Sequence, residues 1–427
     1  MMASLHHGSP RKPSLVIPRK TISNSRLIVL LLLSAGLGIR VRLVNVKWTL
    51  TTNGTPTKTT SVTNNYEQKT RTIRNSITYN DHQANSATKS MDYIPTRIWN
   101  YTCSNYSWCT LPADSTSSTT MSIQGLLYIK LPKCASSTAA GVTLRIADTV
   151  GQWRGGDKNK CACRYRHGTV RSQGYRHRNP NTSFLWTSIR HPASRTLSAY
   201  FFYHVSRRHV NATEDIILAF LQKQRHKSFY VNYLALNMNH GERIQQSHIQ
   251  DILHGFDFMA ISERLPESLV VLSLLLQIPI ANVVLLSNSK MAGGYDGGRS
   301  KRFKCAKIQH KWTTPTIDRY LLSRDNDDFL VDNWDYFLYQ AANASLDRTI
   351  DELGRSKVEA GLELYHAYQT NIQNQCSGKA IFPCPITIPN QTLLSQQDCY
   401  FSDAGCGYKC IDKVLRKDAI MEWSNLR

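Results

Sequence analysis

The chain has 427 residues, 41% of them hydrophobic and 19% charged, which is ordinary globular material for one large domain or two smaller ones. The formal net charge of +22 favours polyanionic partners: nucleic acid, an anionic membrane face, acidic glycans or a multiply phosphorylated ligand. The sequence has neither a basic stripe with interleaved aromatic residues nor zinc-finger spacing, and we therefore predict no nucleic-acid partner.

An apolar segment near the N-terminus is flanked by arginines. Leu27 to Ile39 contains thirteen uncharged residues. A bilayer span needs about 20 apolar residues, or roughly 17 if the flanking arginines snorkel. A cleaved signal peptide and an uncleaved signal anchor both fit this pattern. We favour the anchor because no clear A-x-A cleavage site follows, which predicts a cytosolic tail over 1–26 and a membrane anchor over 27–46.

Residues 47–124 are rich in Thr, Ser and Asn and have little apolar periodicity. This composition is typical of an extended stem. Glycosylation sequons of the form N-x-[ST] support entry into the secretory pathway. They occur at Asn53, Asn100, Asn105, Asn181, Asn211, Asn343 and Asn390.

Cysteine usage indicates the same compartment. The chain has 11 cysteines, an odd number. The simplest interpretation is up to five disulfides in an oxidising lumen, with Cys134 left free and a disulfide-rich cap over 376–410. Zinc binding is the alternative interpretation of the C-terminal cysteines. No paired C-x-x-C spacing occurs, however, and we predict no metal site.

The segment Gly125 to Ile146, GLLYIKLPKCASSTAAGVTLRI, combines a strand, a small loop and a helix start. Pro132 ends the run of β-formers, and the small residues after it allow backbone N–H groups to approach an anion at a helix N-terminus. Lys133 lies beside this loop. The Walker pattern is missing, which argues against a nucleoside triphosphate site, and we predict a site for a phosphate-like dianion instead. A disulfide at Cys134 would obstruct this site.

A second strand, Ser183 to Arg190, is followed by His-Pro and a predicted helix, Ala193 to Val205. Arg190 ends the strand and Ser198 lies two turns along the helix. Both can point into the crevice above a parallel sheet, where α/β folds bind ligands. Guanidinium and hydroxyl together suit a phosphate group.

Two further strand candidates complete the predicted sheet. Asp257 to Glu263 continues into a strongly apolar helix, and Val283 to Leu286 is another short β-type run. We therefore expect an α/β domain in which a parallel sheet is flanked by helices.

Both anion-binding segments resemble those of one enzyme family. PKCASST looks like the 5′-phosphosulfate loop of sulfotransferases that use 3′-phosphoadenosine 5′-phosphosulfate (PAPS). IRHPASRTLSAYFF is similar to the 3′-phosphate segment of the same family. The pattern E-R-x-x-E-S-L-V-x-L, from Glu263 to Leu272, resembles the galactose 3-O-sulfotransferase and uronosyl 2-O-sulfotransferase branch. The stem and the C-terminal cap are not covered by the resemblance.

The resemblance implies a sulfotransferase fold, with a P-loop-like sheet, over residues 125–427. In that family Lys133 would contact the bridging and leaving oxygens of the phosphosulfate, the loop would hold the 5′-phosphate, and Arg190 with Ser198 would hold the 3′-phosphate. Cys134 replaces the usual hydroxyl residue. The implied cofactor-binding residues are Lys133, Ala135, Ser136, Ser137, Thr138, Arg190 and Ser198.

A general base must take the proton from the acceptor hydroxyl. His167 is the first candidate, because Golgi members of the carbohydrate branch often place their base between the two cofactor segments. The alternatives are His191, which is expected to take the structural place of the family's Asp, together with His204, His209 and Glu263.

These features predict a type II Golgi membrane protein whose luminal domain transfers sulfate from PAPS to a glycan hydroxyl without a metal. The rival is a catalytically inactive, sulfotransferase-like glycan-binding protein, against which the intact Lys133, Arg190 and Ser198 argue. A secretory-pathway kinase would need ATP, Mg²⁺ and carboxylates that cannot be placed. The predicted partners are the glycan acceptor and the membrane, and a homo-oligomer stays open.

Overall fold

The computed structural model describes part of the chain, all of it within one compact unit, Gln83–Arg427. The described residues are 93–99, 123–153, 167–238, 242–286, 294–296, 304–306, 308–309, 311–323, 328–381, 398–399 and 405–426. The predicted tail and anchor, and most of the predicted stem, lie outside these ranges. Within them, no helix combines the length and the apolar content needed to cross a bilayer.

Strands and helices alternate through the first half of the described chain, and helices dominate the second. The strands are β1 (Ile123–Ile129), β2 (Arg178–Ile189), β3 (Phe258–Ile261), β4 (Gly294–Asp296) and β5 (Lys304–Ala306). The helices are α1 (Ser136–Trp153), α2 (Pro192–Tyr200), α3 (Glu214–Leu221), α4 (Phe229–Leu234), α5 (Gln246–Gly255), α6 (Leu265–Leu275), α7 (Pro315–Leu322), α8 (Trp334–Leu353), α9 (Arg355–Cys376) and α10 (Tyr408–Asn425).

The first three strands form a parallel sheet in the order β1-β2-β3, and β4 pairs separately with β5 in antiparallel fashion. In the parallel sheet Leu127 lies opposite Leu185, and Ile189 lies opposite Ile261. Parallel strands end at the same edge, so the segments that follow β1, β2 and β3 emerge side by side. This confirms the predicted α/β class with a parallel sheet flanked by helices.

Burial explains why these runs form central strands. Leu126, Leu127, Tyr128 and Ile129 are all fully buried, as a parallel sheet covered on both faces requires. Helix α6 is apolar around most of its circumference and is correspondingly buried between the sheet and other helices.

The predicted strand at Val283 to Leu286 is wrong. These residues are buried but have no strand pairing, because side chains bind their carbonyl groups instead. The Arg145 guanidinium donates to the Val284 carbonyl at 2.7 Å, and the Gln369 amide donates to the Leu285 carbonyl at 3.1 Å. A buried apolar segment satisfied by side chains needs no neighbouring strand.

The second predicted helix begins at Pro192 and changes character before it ends. After Tyr200 the backbone continues as a π-helical turn, Phe201–Ser206. Such turns interrupt α-helices at functional sites more often than elsewhere. The sequence pattern of apolar positions did not reveal this change.

Residues 93–99 belong to the predicted stem, yet they pack on the domain. Ile94 is 4% exposed, and the Trp99 N–H donates to the Leu275 carbonyl at 2.6 Å. Arg97 forms an ion pair with Asp257, with 2.8 Å between Nη1 and Oδ1. This short segment is therefore bound at the start of β3 and the end of α6.

The C-terminal region is held by covalent and ionic links. Disulfides join Cys376 to Cys410 and Cys399 to Cys406. Cys134 is a free, buried cysteine, as predicted. Asp412 on α10 accepts a 2.7 Å hydrogen bond from Arg145 Nε on α1, which connects the last helix to the first.

Candidate functional site

The loop between β1 and α1 has an unusual backbone. Lys133 and Ala135 have φ angles of +67° and +55°, in the left-handed region that non-glycine residues seldom adopt. Each such residue costs on the order of 1 kcal/mol or more. Alternation of left- and right-handed residues turns successive N–H groups toward one point, a nest that binds anions. Helix α1 begins at Ser136, so its unpaired N–H groups open onto the same loop.

Hydrogen bonds from the neighbouring strand fix the loop in this shape. Ser188 on β2 donates from Oγ to the Cys134 carbonyl at 2.7 Å, and its Oγ lies 2.9 Å from the Tyr128 hydroxyl. Burial raises the pKa of Tyr128 far above its usual value, so the phenol stays protonated. The strained loop is thereby tied to the end of β2.

Lys133 lies against the second predicted segment. Its Nζ is 3.9 Å from the centroid of the Phe202 ring, within the range of a cation–π contact. Phe202 is one turn beyond Ser198, which is 8% exposed, so both residues lie toward the same face of the helix. The lysine of the first motif and the serine of the second are thus brought to one region.

Arg190 follows β2 directly and meets the end of β3. Its Nε lies 3.8 Å from Glu263 Oε1, and that carboxylate also accepts the His191 N–H at 3.0 Å. Burial raises the pKa of Glu263, opposed by the Arg190 charge and the His191 N–H. Because 3.8 Å is long for a charge-assisted hydrogen bond, the Arg190 fork retains donors for a phosphate-like ligand.

His167 is bound beside the loop. Its Nδ1 lies 2.9 Å from the carbonyl oxygen of Lys130, which precedes the loop. A carbonyl only accepts hydrogen bonds, so Nδ1 carries the proton and the neutral ring has its lone pair on Nε2. The side chain is exposed. His167 therefore has the orientation of a base that can receive a proton from a ligand in solvent.

The other histidines have different surroundings. His191 is 6% exposed and packs edge-on against Tyr339. His204 stacks on Tyr200, and burial lowers its pKa. His209 is exposed and has a left-handed φ of +55°.

The sequence gives Tyr230, with Phe229 and Tyr233, two interpretations: a ring that stacks on a sugar face, or a ring that packs inward. Tyr230 is fully buried, which agrees with inward packing, and the sequence did not predict its contacts with Arg190 and Cys134. Its hydroxyl nevertheless donates to the Arg190 carbonyl at 2.5 Å and lies 3.4 Å from Cys134 Sγ. No spacing signal predicts a contact across 40 residues.

No protein-family model, no curated protein and no solved structure matches this chain. The described residues form a mixed α/β domain with a three-stranded parallel sheet flanked by helices, and the candidate site lies where β1, β2 and β3 end.

Proposed function

We propose that this protein is a PAPS-dependent carbohydrate sulfotransferase with the sulfotransferase fold. The observation that carries the proposal is that the two predicted anion-binding segments lie at the carboxyl edge of one parallel sheet. The loop with Lys133 follows β1, and Arg190 follows β2. Two separate groups of cationic and N–H donors suit a nucleotide with phosphates at two positions.

The hydrogen-bond donors and cationic groups of the two segments suit PAPS as a substrate. The loop nest and the start of α1 would hold the 5′-phosphate through Ala135, Ser136, Ser137 and Thr138. Arg190 and Ser198 would hold the 3′-phosphate. Lys133 would neutralise negative charge that develops on the leaving oxygen. PAPS itself supplies an activated sulfuryl group for in-line displacement, chemistry that depends mainly on positioning and charge stabilisation.

His167 would act as the general base toward the glycan hydroxyl. Its Nδ1–H is held by the Lys130 carbonyl, so Nε2 is the basic nitrogen of the neutral ring and would take the acceptor proton. The alternative base, Glu263, is already engaged with Arg190 and the His191 N–H.

We expect His167→Asn to lower kcat by about 10²- to 10⁴-fold, the usual contribution of a general base. Asn can still donate to the Lys130 carbonyl but has no basic nitrogen. The rise of kcat with pH, which follows deprotonation of the base, should disappear in the variant, while affinity for adenosine 3′,5′-bisphosphate stays within error. A normal pH–rate profile in His167→Asn would assign the base elsewhere.

A luminal location accords with several features of the described chain. Two disulfides are present, as in proteins of oxidising compartments. The sequon residues Asn181 and Asn211 are exposed, whereas Asn343 lies in α8 and accepts a 3.0 Å hydrogen bond from Arg264. We place the domain in the Golgi lumen, held by the N-terminal anchor.

The proposal is tested by transfer of radiolabelled sulfate from PAPS to a panel of glycans. We expect a sulfated glycan product that forms without added metal or ATP. Protein that binds PAPS and glycans yet forms no product across the panel would favour the glycan-binding alternative. Labelling from ATP with Mg²⁺ would favour a kinase.

A further inference from the structure

We propose that Tyr230 is a positioning residue that sets the separation of the two phosphate-binding segments. This inference rests on the proposed function. Tyr230 lies on α4, outside both segments, and its fully buried hydroxyl contacts each of them. We assign Tyr230 no direct contact with the ligand.

The hydroxyl is used to capacity. It donates to the Arg190 carbonyl at 2.5 Å and accepts the Arg190 N–H at 3.3 Å. Since the Tyr230 proton is committed to the Arg190 carbonyl, the phenolic oxygen is an acceptor for the Cys134 thiol, 3.4 Å away, which shares its single proton with the Pro132 carbonyl at 3.6 Å. Burial raises the pKa of both groups, that of Cys134 to about 11, so both remain protonated and the link is neutral.

The ring is fixed from other directions. The Tyr230 N–H donates to Asp335 Oδ1 on α8 at 2.7 Å, and Asp335 is fully buried. The Arg195 guanidinium, from the helix that carries Ser198, lies 4.1 Å above the neighbouring Phe229 ring and 5.7 Å from the Tyr230 ring. A hydroxyl held this firmly defines where the backbone of Arg190 lies relative to Cys134 in the loop.

A ligand with two phosphates has a fixed distance between them, and it benefits only when both segments are correctly spaced. A ligand with one phosphate needs only one segment. Loss of the Tyr230 hydroxyl should therefore weaken the bisphosphate more than either monophosphate, whereas a purely structural role would weaken all three alike.

The test compares wild type and Tyr230→Phe in titrations with adenosine 3′,5′-bisphosphate, adenosine 5′-phosphate and adenosine 3′-phosphate. We expect the variant to lose about tenfold in affinity for the bisphosphate, the worth of one or two hydrogen bonds, and less than about threefold for each monophosphate. Tyr365→Phe is the control, because Tyr365 is a buried tyrosine on α9 that bonds to the backbone of Leu285, outside the site. It should change none of the three affinities.

Cys134→Ala removes the loop end of the same link, together with the contact of the thiol with the Pro132 carbonyl. Cys134→Ala should lose less affinity than Tyr230→Phe does, and it should again lose more for the bisphosphate than for either monophosphate. It replaces Tyr230→Phe in the test if that variant does not fold. Equal losses for all three ligands, or none, would overturn the role of Tyr230 while leaving the proposed function intact. Wild-type protein that binds none of the three nucleotides would overturn the proposed function, and this inference with it.

Discussion

Replacing Lys133 with alanine is expected to abolish most turnover, with kcat falling about 10²- to 10³-fold, comparable to the loss of a donor that stabilises transition-state charge. The ammonium lies 3.9 Å from the centroid of the Phe202 ring, and the Lys133 backbone is in the left-handed region, so the side chain is positioned before the ligand arrives. Its largest effect should fall on the step in which charge develops. Steady-state kinetics at saturating PAPS and glycan measure this directly.

Lys133→Met separates charge from packing, because it keeps a long flexible side chain and removes the ammonium. It should be as inactive as Lys133→Ala, and it should unfold at the wild-type temperature. Retention of more than about a tenth of the wild-type kcat in Lys133→Met would contradict a role in neutralising the leaving group.

Replacing Arg190 with alanine is expected to weaken PAPS binding about 10- to 100-fold, the range for lost hydrogen bonds to a charged group. The substitution leaves the Arg190 backbone groups that bond to Tyr230 in place. Adenosine 5′-phosphosulfate lacks the 3′-phosphate, so its affinity should be the same for variant and wild type. Isothermal titration with both nucleotides makes the comparison.

Arg264→Ala is the matched control for Arg190→Ala. The Arg264 side chain is 26% exposed, against 28% for Arg190, and it also pairs with carboxylates, those of Glu267 and Asp347. Loss of this arginine should leave PAPS affinity unchanged. If Arg190→Ala binds PAPS as tightly as wild type does, Arg190 does not hold the 3′-phosphate.

The core of the sheet was predictable because each of its strands is a run of β-formers ended by a distinct residue. The β1 run stops before Pro132, the β2 run stops before His191-Pro192, and both observed strands begin earlier than the apolar residues suggested. Val283 to Leu286 has the same composition but its carbonyl groups are bound by Arg145 and Gln369. Periodicity does not distinguish a buried strand from a buried loop satisfied by distant side chains.

The candidate site likewise contains residues that local sequence pattern predicted and contacts that it did not predict. Lys133, Arg190 and Ser198 stand at the ends of recognisable elements, so local pattern located them. The contacts of Tyr230 with Arg190 and of Glu263 with His191 span 40 and 72 residues, and they depend on how α4 and β3 pack against β2. Such contacts follow from tertiary packing and have no local signature.

The link between Arg145 and Asp412 has a consequence for biosynthesis. Arg145 is 3% exposed and belongs to the helix that follows the β1 loop, but its carboxylate partner lies 267 residues further along the chain. A buried guanidinium without its counterion is costly. Helix α1 therefore reaches its final anchorage only after α10 has been synthesised, and chains truncated before Asp412 should unfold more easily than the full chain.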